Sequence, residues 1–372
     1  MFTLCCNTTG SGSSAFGRAA LANNTTGANN TAVGIGALQN NTTGALNTAV
    51  GTSALILNTE GDQSVAVGYE ALRNQNPVGN ADMNNVAVGY QAALCTTTGT
   101  QNTAVGACSL RLNTTGSNNT ANGLNALFNN ITGGSNAAIG VAALCCNTTG
   151  NNNIAVGVSA LRCNTTASDN TAIGLQALCV NTTGCLNIAM GNNALVKNTT
   201  GIYQTGLGIA ALFNATTGCN NIGIGRNAGR TGGAPEGICN ITTESNYIVM
   251  GNDDHTCALI KIAWTATSDC RDKTCFRPVE HGLDFVRALK PTEYQFRKGR
   301  DSTETDGKRR YGFLAQDVLP LEGENPVIIS DDNPDKLQYT EAHLIPVLVK
   351  AIQDLSAQVE TLTARLEALE NA

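Results

Sequence analysis

One spacing governs the first 230 residues. A glycine that closes an A-V-G or A-I-G type triplet recurs at Gly17, Gly34, Gly51, Gly68, Gly89, Gly106, Gly123, Gly140, Gly157, Gly174, Gly191, Gly208 and Gly225. Every step is 17 residues except Gly68 to Gly89, where 21 marks a four-residue insertion. Leucine follows four residues later in most units, from Leu21, Leu38 and Leu55 to Leu195 and Leu212, and a second ladder, N-T-T-G, runs through Gly10, Gly27, Gly44, Gly116, Gly150, Gly184 and Gly201. A fixed period identifies a repeat architecture. Seventeen residues are too few for a propeller blade or a helical hairpin, but they suffice for one coil of a β-solenoid whose rungs stack at the strand spacing. Each unit reads as short strand, corner, short strand, turn. Thirteen rungs, hence twelve steps of about 4.8 Å, make a shaft of roughly 58 Å. Gly and Ala at fixed positions let neighbouring backbones approach closely. Val, Leu and Ala give each coil only a small apolar face, so association of several chains along the rod is expected.

Composition sharpens this reading. Only 12 of the 50 charged residues lie in residues 1–230, and the whole chain has 16 aromatic side chains. Aromatic residues carry much of the payload of an ordinary core, so one large enzyme domain is not expected. The net charge of −6 argues against a nucleic-acid partner. No stretch has the roughly 18 apolar residues of a membrane span, and MFTLCCNTTGSG reads as neither a signal peptide nor an anchor. The expected organisation is a repetitive shaft over 1–230, a transition over 231–267 ending near the strand-like ALIKIAW, and a charged C-terminal domain over 268–372. Residues 1–267 carry 8 basic and 9 acidic groups, and residues 268–372 carry 14 and 19. High charge suits a piece that must stay soluble while its partner strands are unpaired.

Within the shaft, N-x-T triplets at Asn24, Asn41, Asn147, Asn181 and Asn198 match the glycosylation pattern, but turn chemistry is the better reading. The 14 cysteines lack zinc-ligand spacing and read as small buried hydrophobes. Cys146 and Cys163, one period apart, stack within disulfide range, although plain thiols remain ahead because in-register parallel neighbours rarely meet the required dihedral. Cys145 and Cys179, two rungs apart, are not expected to pair. Glu60, Asp62, Glu70 and Asp82 surround the irregular rung and read as a local cap, not a glycosidase site. His255, His281 and His343 have no second ligand at metal spacing. No cofactor is implied.

The C-terminal third changes character. VEHGLDFVRALKPTEYQFRK reads as helix then strand, and RRYGFLAQDV as strand then helix, giving a small α+β domain. The chain closes with Ile345, Leu348, Ile352, Leu355, Val359, Leu362, Leu366 and Leu369, a heptad seam of alternating threes and fours. A coiled coil over 345–370 is expected in preference to an amphipathic helix packed only on its own domain. The seam residues lean towards two strands by packing rules and leave the number open.

At the junction stands Thr267-Ser268-Asp269-Cys270-Arg271-Asp272-Lys273. A desolvated lysine has a lowered pKa and can activate a serine hydroxyl, yet these seven residues alone are a weak signal. Together with G-L-x-x-V-x-x-L-x-P-x-x-Y-x-F at Gly282 to Phe296, then Gly312-Phe313-Leu314-Ala315-Gln316-Asp317-Val318 and the terminal heptads, residues 268–372 closely resemble the endosialidase-type intramolecular chaperone autoprocessing domain. The resemblance implies a C-terminal domain of phage or viral tail fibres and spikes, which promotes homotrimer formation and then releases itself with a Ser-Lys dyad. Carried over, the dyad is Ser268 with Lys273 and the scissile bond is Thr267–Ser268; Gln316 and Asp317 receive no step. The 17-residue units also look like shaft repeats of fibre proteins and are similar, less closely, to the heads of trimeric autotransporter adhesins. The implied location is a virion fibre assembled in the host cytoplasm, with a host-surface receptor or glycan as a further partner. The alternative is a structural adhesin whose C-terminal domain is a permanent, non-cleaving trimerisation clamp.

Overall fold

The computed structural model describes residues 3–230, 240–252, 273–297, 303–330 and 337–371. The chain divides into two compact units, Met1–Ala258 and Leu259–Ala372.

The first unit is a β-solenoid. Fourteen three-residue strands, from β1 (Ser14–Phe16) and β2 (Thr31–Val33) through β13 (Ile222–Ile224) to β14 (Ile248–Met250), form one parallel sheet in sequence order. Register follows the period, with Thr31, Ala32 and Val33 opposite Thr48, Ala49 and Val50. Two expectations need correction. Each rung carries one strand, not two; the rest of the coil is turns, which still hydrogen-bond from rung to rung, as from Leu38 N to Ala54 O at 3.0 Å and Thr42 N to Thr59 O at 2.8 Å. The sheet also continues past residue 230. Ile222, Gly223 and Ile224 pair with Ile248, Val249 and Met250, an interval of 26 residues that conceals a fourteenth strand from any search at period 17.

The sequence ladders acquire causes. The middle strand residue, such as Ala32, Ala49 or Ala138, points inward and is fully buried. The corner glycines have φ between +110° and +144°, and a Cβ on Gly34 would lie 2.6 Å from the Gly51 carbonyl oxygen of the next rung. Only glycine fits both constraints. The ladder leucines adopt left-handed φ near 50°, for example 49° at Leu38. That conformation costs roughly 1–2 kcal/mol per residue, while fully burying a leucine contributes about 1.5–3 kcal/mol. Burial outweighs strain, and all these leucines are at 0% exposure.

Two columns of buried side-chain amides complete the core. Asn41 Nδ2 donates to Gly44 O within its own rung and to Asn24 Oδ1 of the previous one, both at 2.8 Å. In the second column Asn47 Nδ2 donates to Gly61 O at 2.8 Å, while its backbone N–H donates to Asn30 Oδ1 at 2.9 Å. Asn24, Asn41, Asn147, Asn181 and Asn198 are all at 0% exposure, so their N-x-T triplets are turn chemistry and not glycan acceptors. The first column ends at Asn198, whose Oδ1 is buried without a partner because Ala215 stands where the next asparagine would donate.

The second unit has α1 (Leu283–Ala288), an antiparallel pair β15 (Thr292–Tyr294) with β16 (Arg310–Gly312), α2 (Ala315–Glu322), a second pair β17 (Ile329–Ser330) with β18 (Gln338–Tyr339), and the long α3 (Glu341–Glu370). Phe285, Val318, Ile328, Ile329, Leu344 and Val347 form its core. Its helix α3 presents two faces. Leu344, Val347 and Ala351 are buried, whereas Ile345, Leu348, Ile352, Leu355, Val359, Leu362, Leu366 and Leu369 are exposed by 38–75%. No helix among the described residues is long and apolar enough to cross a membrane.

Candidate functional site

Thr267 and Ser268 lie outside the described residues, as does His255. Lys273 is described and exposed, at the start of an irregular segment that runs to Gly282. The spaced glycines and aromatics after it have structural causes. Gly282 precedes α1, where a Cβ would collide with the Asp354 carboxylate of α3. Asp354 accepts from the Leu283 N–H at 3.3 Å and is held close by Lys350. The Lys350 hydrogen bond, with the Leu283 N–H assisting, holds the Asp354 carboxyl below its usual range. This junction fixes the N-terminus of α1 on α3, and hence where the segment leading back towards Lys273 begins.

The remaining motif residues are packing devices. Val286 and Leu289 pack against the core around Phe285. Tyr294 lies beside Gly312, where a Cβ would come within 3.0 Å of its ring, and its ring meets Phe296 edge-on at 5.4 Å. Arg310 lies over Phe296 at 4.8 Å and pairs with Asp306 at 2.7 Å, which keeps the Asp306 carboxyl low. Gln316 is exposed, and Asp317 accepts from Lys290 at 3.5 Å, tying α2 to the turn after α1. His281 stacks on Phe285 with centroids 4.5 Å apart, and His343 Nδ1 donates to Val327 O at 2.7 Å. Both described histidines are thus satisfied structurally.

Sequence reasoning missed Glu322. Its carboxylate is 7% exposed and accepts three backbone N–H groups, from Val327 at 2.7 Å, Ile328 at 2.6 Å and Ile329 at 2.9 Å. It binds the end of α2 to β17. A glutamate just before a glycine in a polar stretch carries no sequence signal for this role.

Residues 268–323 match a peptidase-family model described as chaperone of endosialidase. No curated protein and no solved structure matches the chain. The chaperone-of-endosialidase match begins at Ser268 itself and ends just after Glu322, so it takes in Lys273, α1, both strands of the first hairpin and α2.

In the shaft, Asp62 and Asp82 meet in an isolated parallel bridge beside the insertion, but each of the four acidic side chains is engaged by a different donor. Glu60 accepts from Gly79 N at 2.7 Å, Asp62 from Ala45 N at 2.7 Å, Asp82 from Gln63 at 2.6 Å and Glu70 from Gln91 at 2.8 Å. Glu60 and Asp82 tie the insertion to the rung before it, while Asp62 and Glu70 bond along the regular stack. Cys146 and Cys163 are free thiols, and burial pushes the neighbouring Cys145 and Cys179 thiols up.

Proposed function

We propose that this chain is a tail-fibre or spike protein: a solenoid shaft, trimeric when assembled, followed by an assembly chaperone that cuts itself off at Thr267–Ser268. The observation that carries this reading is the chaperone-of-endosialidase match starting at Ser268 behind a stacked shaft. Two unpaired apolar surfaces support association. One is the seam of α3. The other is a stripe on either side of the corner glycines, including Val33 and Ile35, Ile139 and Val141, and the stacked pair Tyr69 and Tyr90 at 5.5 Å. Over the eleven steps from Val33 to Ile224 it extends about 53 Å, and a contiguous exposed apolar stripe marks an interaction surface.

The chemistry needs only residues of the chain. Ser268 Oγ attacks the Thr267 carbonyl carbon while Lys273 Nζ accepts the hydroxyl proton. That proton passes to the Ser268 nitrogen as the C–N bond breaks, leaving an ester between Thr267 and Ser268 Oγ. Water then adds to the ester, giving a Thr267 carboxylate and a fragment with a free Ser268 amine and hydroxyl. Tethering the nucleophile to its own carbonyl can be worth on the order of 7–11 kcal/mol when orientation is right. Lys273 is exposed in the single chain, whereas a general base of this kind is neutral only when desolvated. Cleavage therefore waits until neighbouring subunits cover Lys273, which makes it a single-turnover report of assembly. Expression of Ser268→Ala and Lys273→Ala tests this by gel mobility: both should give assembled, uncut chain where the parent gives two fragments. Two fragments from either variant exclude the dyad, and one full-length band from the parent leaves the non-cleaving clamp.

A further inference from the structure

One column of shaft side chains takes no part in the buried core, the apolar stripe or the amide columns. It lies six residues after each corner glycine, in the turn that follows the strand, and includes Asn23, Asn40, Cys146, Cys163, Lys197 and Asn214. Side chains in this column reach their counterparts one rung away. Asn23 Nδ2 donates to Asn40 Oδ1 at 3.1 Å, and Lys197 Nζ to Asn214 Oδ1 at 2.9 Å. Cys146, after Gly140, and Cys163, after Gly157, hold the same two places on consecutive rungs.

Rungs stack about 4.8 Å apart, inside the roughly 4.4–6.8 Å that separates the Cα atoms of bridged cysteines. Backbone bonds hold the spacing at both positions: Cys146 N donates to Arg162 O at 3.0 Å and Cys163 N to Cys179 O at 2.9 Å. The dihedral objection to such a pair rests on strand geometry. Here β8 (Ala137–Ile139) and β9 (Ile154–Val156) end well before the cysteines, and both stand in turns. Two further thiols flank the pair one column over, Cys145 and Cys179, with Arg162 between them in sequence and in the stack. Burial pushes both of these thiols up, against the opposing Arg162 cation, which makes them the poorer nucleophiles. Cys146 and Cys163 are half-buried, so a small reagent reaches them.

We infer that Cys146 and Cys163 are a redox-closed staple, free thiols as the chain folds and a disulfide between adjacent rungs once a small-molecule disulfide oxidises them. The thiolate of one cysteine attacks a sulfur of the oxidant and expels the other half as a thiolate. The second cysteine then attacks the protein-bound sulfur, forming the Sγ–Sγ bond and expelling the remaining half. Two cysteine thiols are oxidised, one small disulfide is reduced to two thiols, and the two cysteine protons end on those thiols. A reducing compartment keeps the pair open, and an oxidising medium closes it. Cross-linking positions 146 and 163 restricts the unfolded chain more than the folded one, so the bond pins one rung to the next in a stack otherwise held without covalent cross-links. The inference concerns the shaft alone and stands whether or not the C-terminal unit cuts.

The test uses the full chain, purified with reductant, freed of it and exposed to oxidised glutathione. Remaining thiols are then alkylated, and tryptic peptides are mapped by mass spectrometry without reduction. Cleavage after Arg162 separates the two cysteines, so the bond should join two peptides, and their fragmentation should place it at Cys146 and Cys163 in the parent protein, independent of any variant's folding. Cys146→Ser and Cys163→Ser should each lose the linked peptide, whereas Cys145→Ser/Cys179→Ser should keep it. Closure should raise the shaft's thermal transition by about 5–10 °C, and reductant should reverse the shift. Glutathione left on both cysteines with no link between them, a link through Cys145 or Cys179 instead, a link between two chains, or a bond that lowers the shaft transition would each overturn the inference.

Discussion

The shaft repeats one solution many times, whereas the C-terminal unit solves each junction once. Along the shaft a glycine corner, a buried alanine, a left-handed leucine and two amide columns recur with the same geometry, so each rung is stabilised by its neighbours and the contacts are apolar or neutral. In the C-terminal unit the joins are ionic and individual: Glu322 to three N–H groups, Asp354 to α1, Asp306 to Arg310. The shaft is thus nearly indifferent to charge, and the C-terminal unit depends on it. A one-dimensional stack also fails locally, while a small mixed unit fails as a whole.

The sharpest break of the shaft comes at a corner. Gly140→Val adds a β-branched side chain at φ +134° with the Gly157 carbonyl carbon 2.7 Å from the new Cβ. A loss of more than about 3 kcal/mol is expected, seen as a lowered shaft transition in calorimetry with the C-terminal transition unmoved. Leu127→Ala should cost about 2–5 kcal/mol in the same transition. In the other unit, Glu322→Ala leaves three backbone donors short of an acceptor and should cost about 1–3 kcal/mol or more, with the shaft transition unchanged.

How legible was this contrast in the sequence? The period, the leucine ladder and the solenoid were, because thirteen recurrences of one 17-residue unit average out local ambiguity. The single strand per rung was not, since turns that bond rung to rung leave the same inward pattern as a strand. Nor was β14, hidden by an interval of 26. In the C-terminal third the spaced Gly282, Tyr294 and Gly312 pointed to the family whose model covers 268–323, but Glu322 and the Asp354 junction act once each, across segments remote in sequence, and one-off contacts leave no periodic trace. The heptad spacing gave one long terminal helix, observed as α3, while the inward face at Leu344, Val347 and Ala351 emerged only from packing.

Gentler changes sharpen the comparison. Ala215→Asn extends the first amide column by one rung, gives Asn198 Oδ1 its missing donor, and should raise the shaft transition by about 1 kcal/mol. Acidification should separate the two units. The carboxyls of Asp354 and Asp306 are held below their usual range in the folded state, so their contribution is present above the unfolded value near 4. It is lost as pH falls through the depressed folded values. Circular dichroism between pH 5 and 2 should show the helical signal of the C-terminal unit lost before the shaft's.

Intact-mass analysis of the purified, assembled protein probes the release step most directly. Two masses are expected, one for residues 1–267 and one beginning at Ser268, heavier together than the precursor by a single water. A lone full-length mass in properly assembled material, identical to that of Ser268→Ala apart from the substituted atom, would contradict self-release and leave a shaft with a permanent clasp.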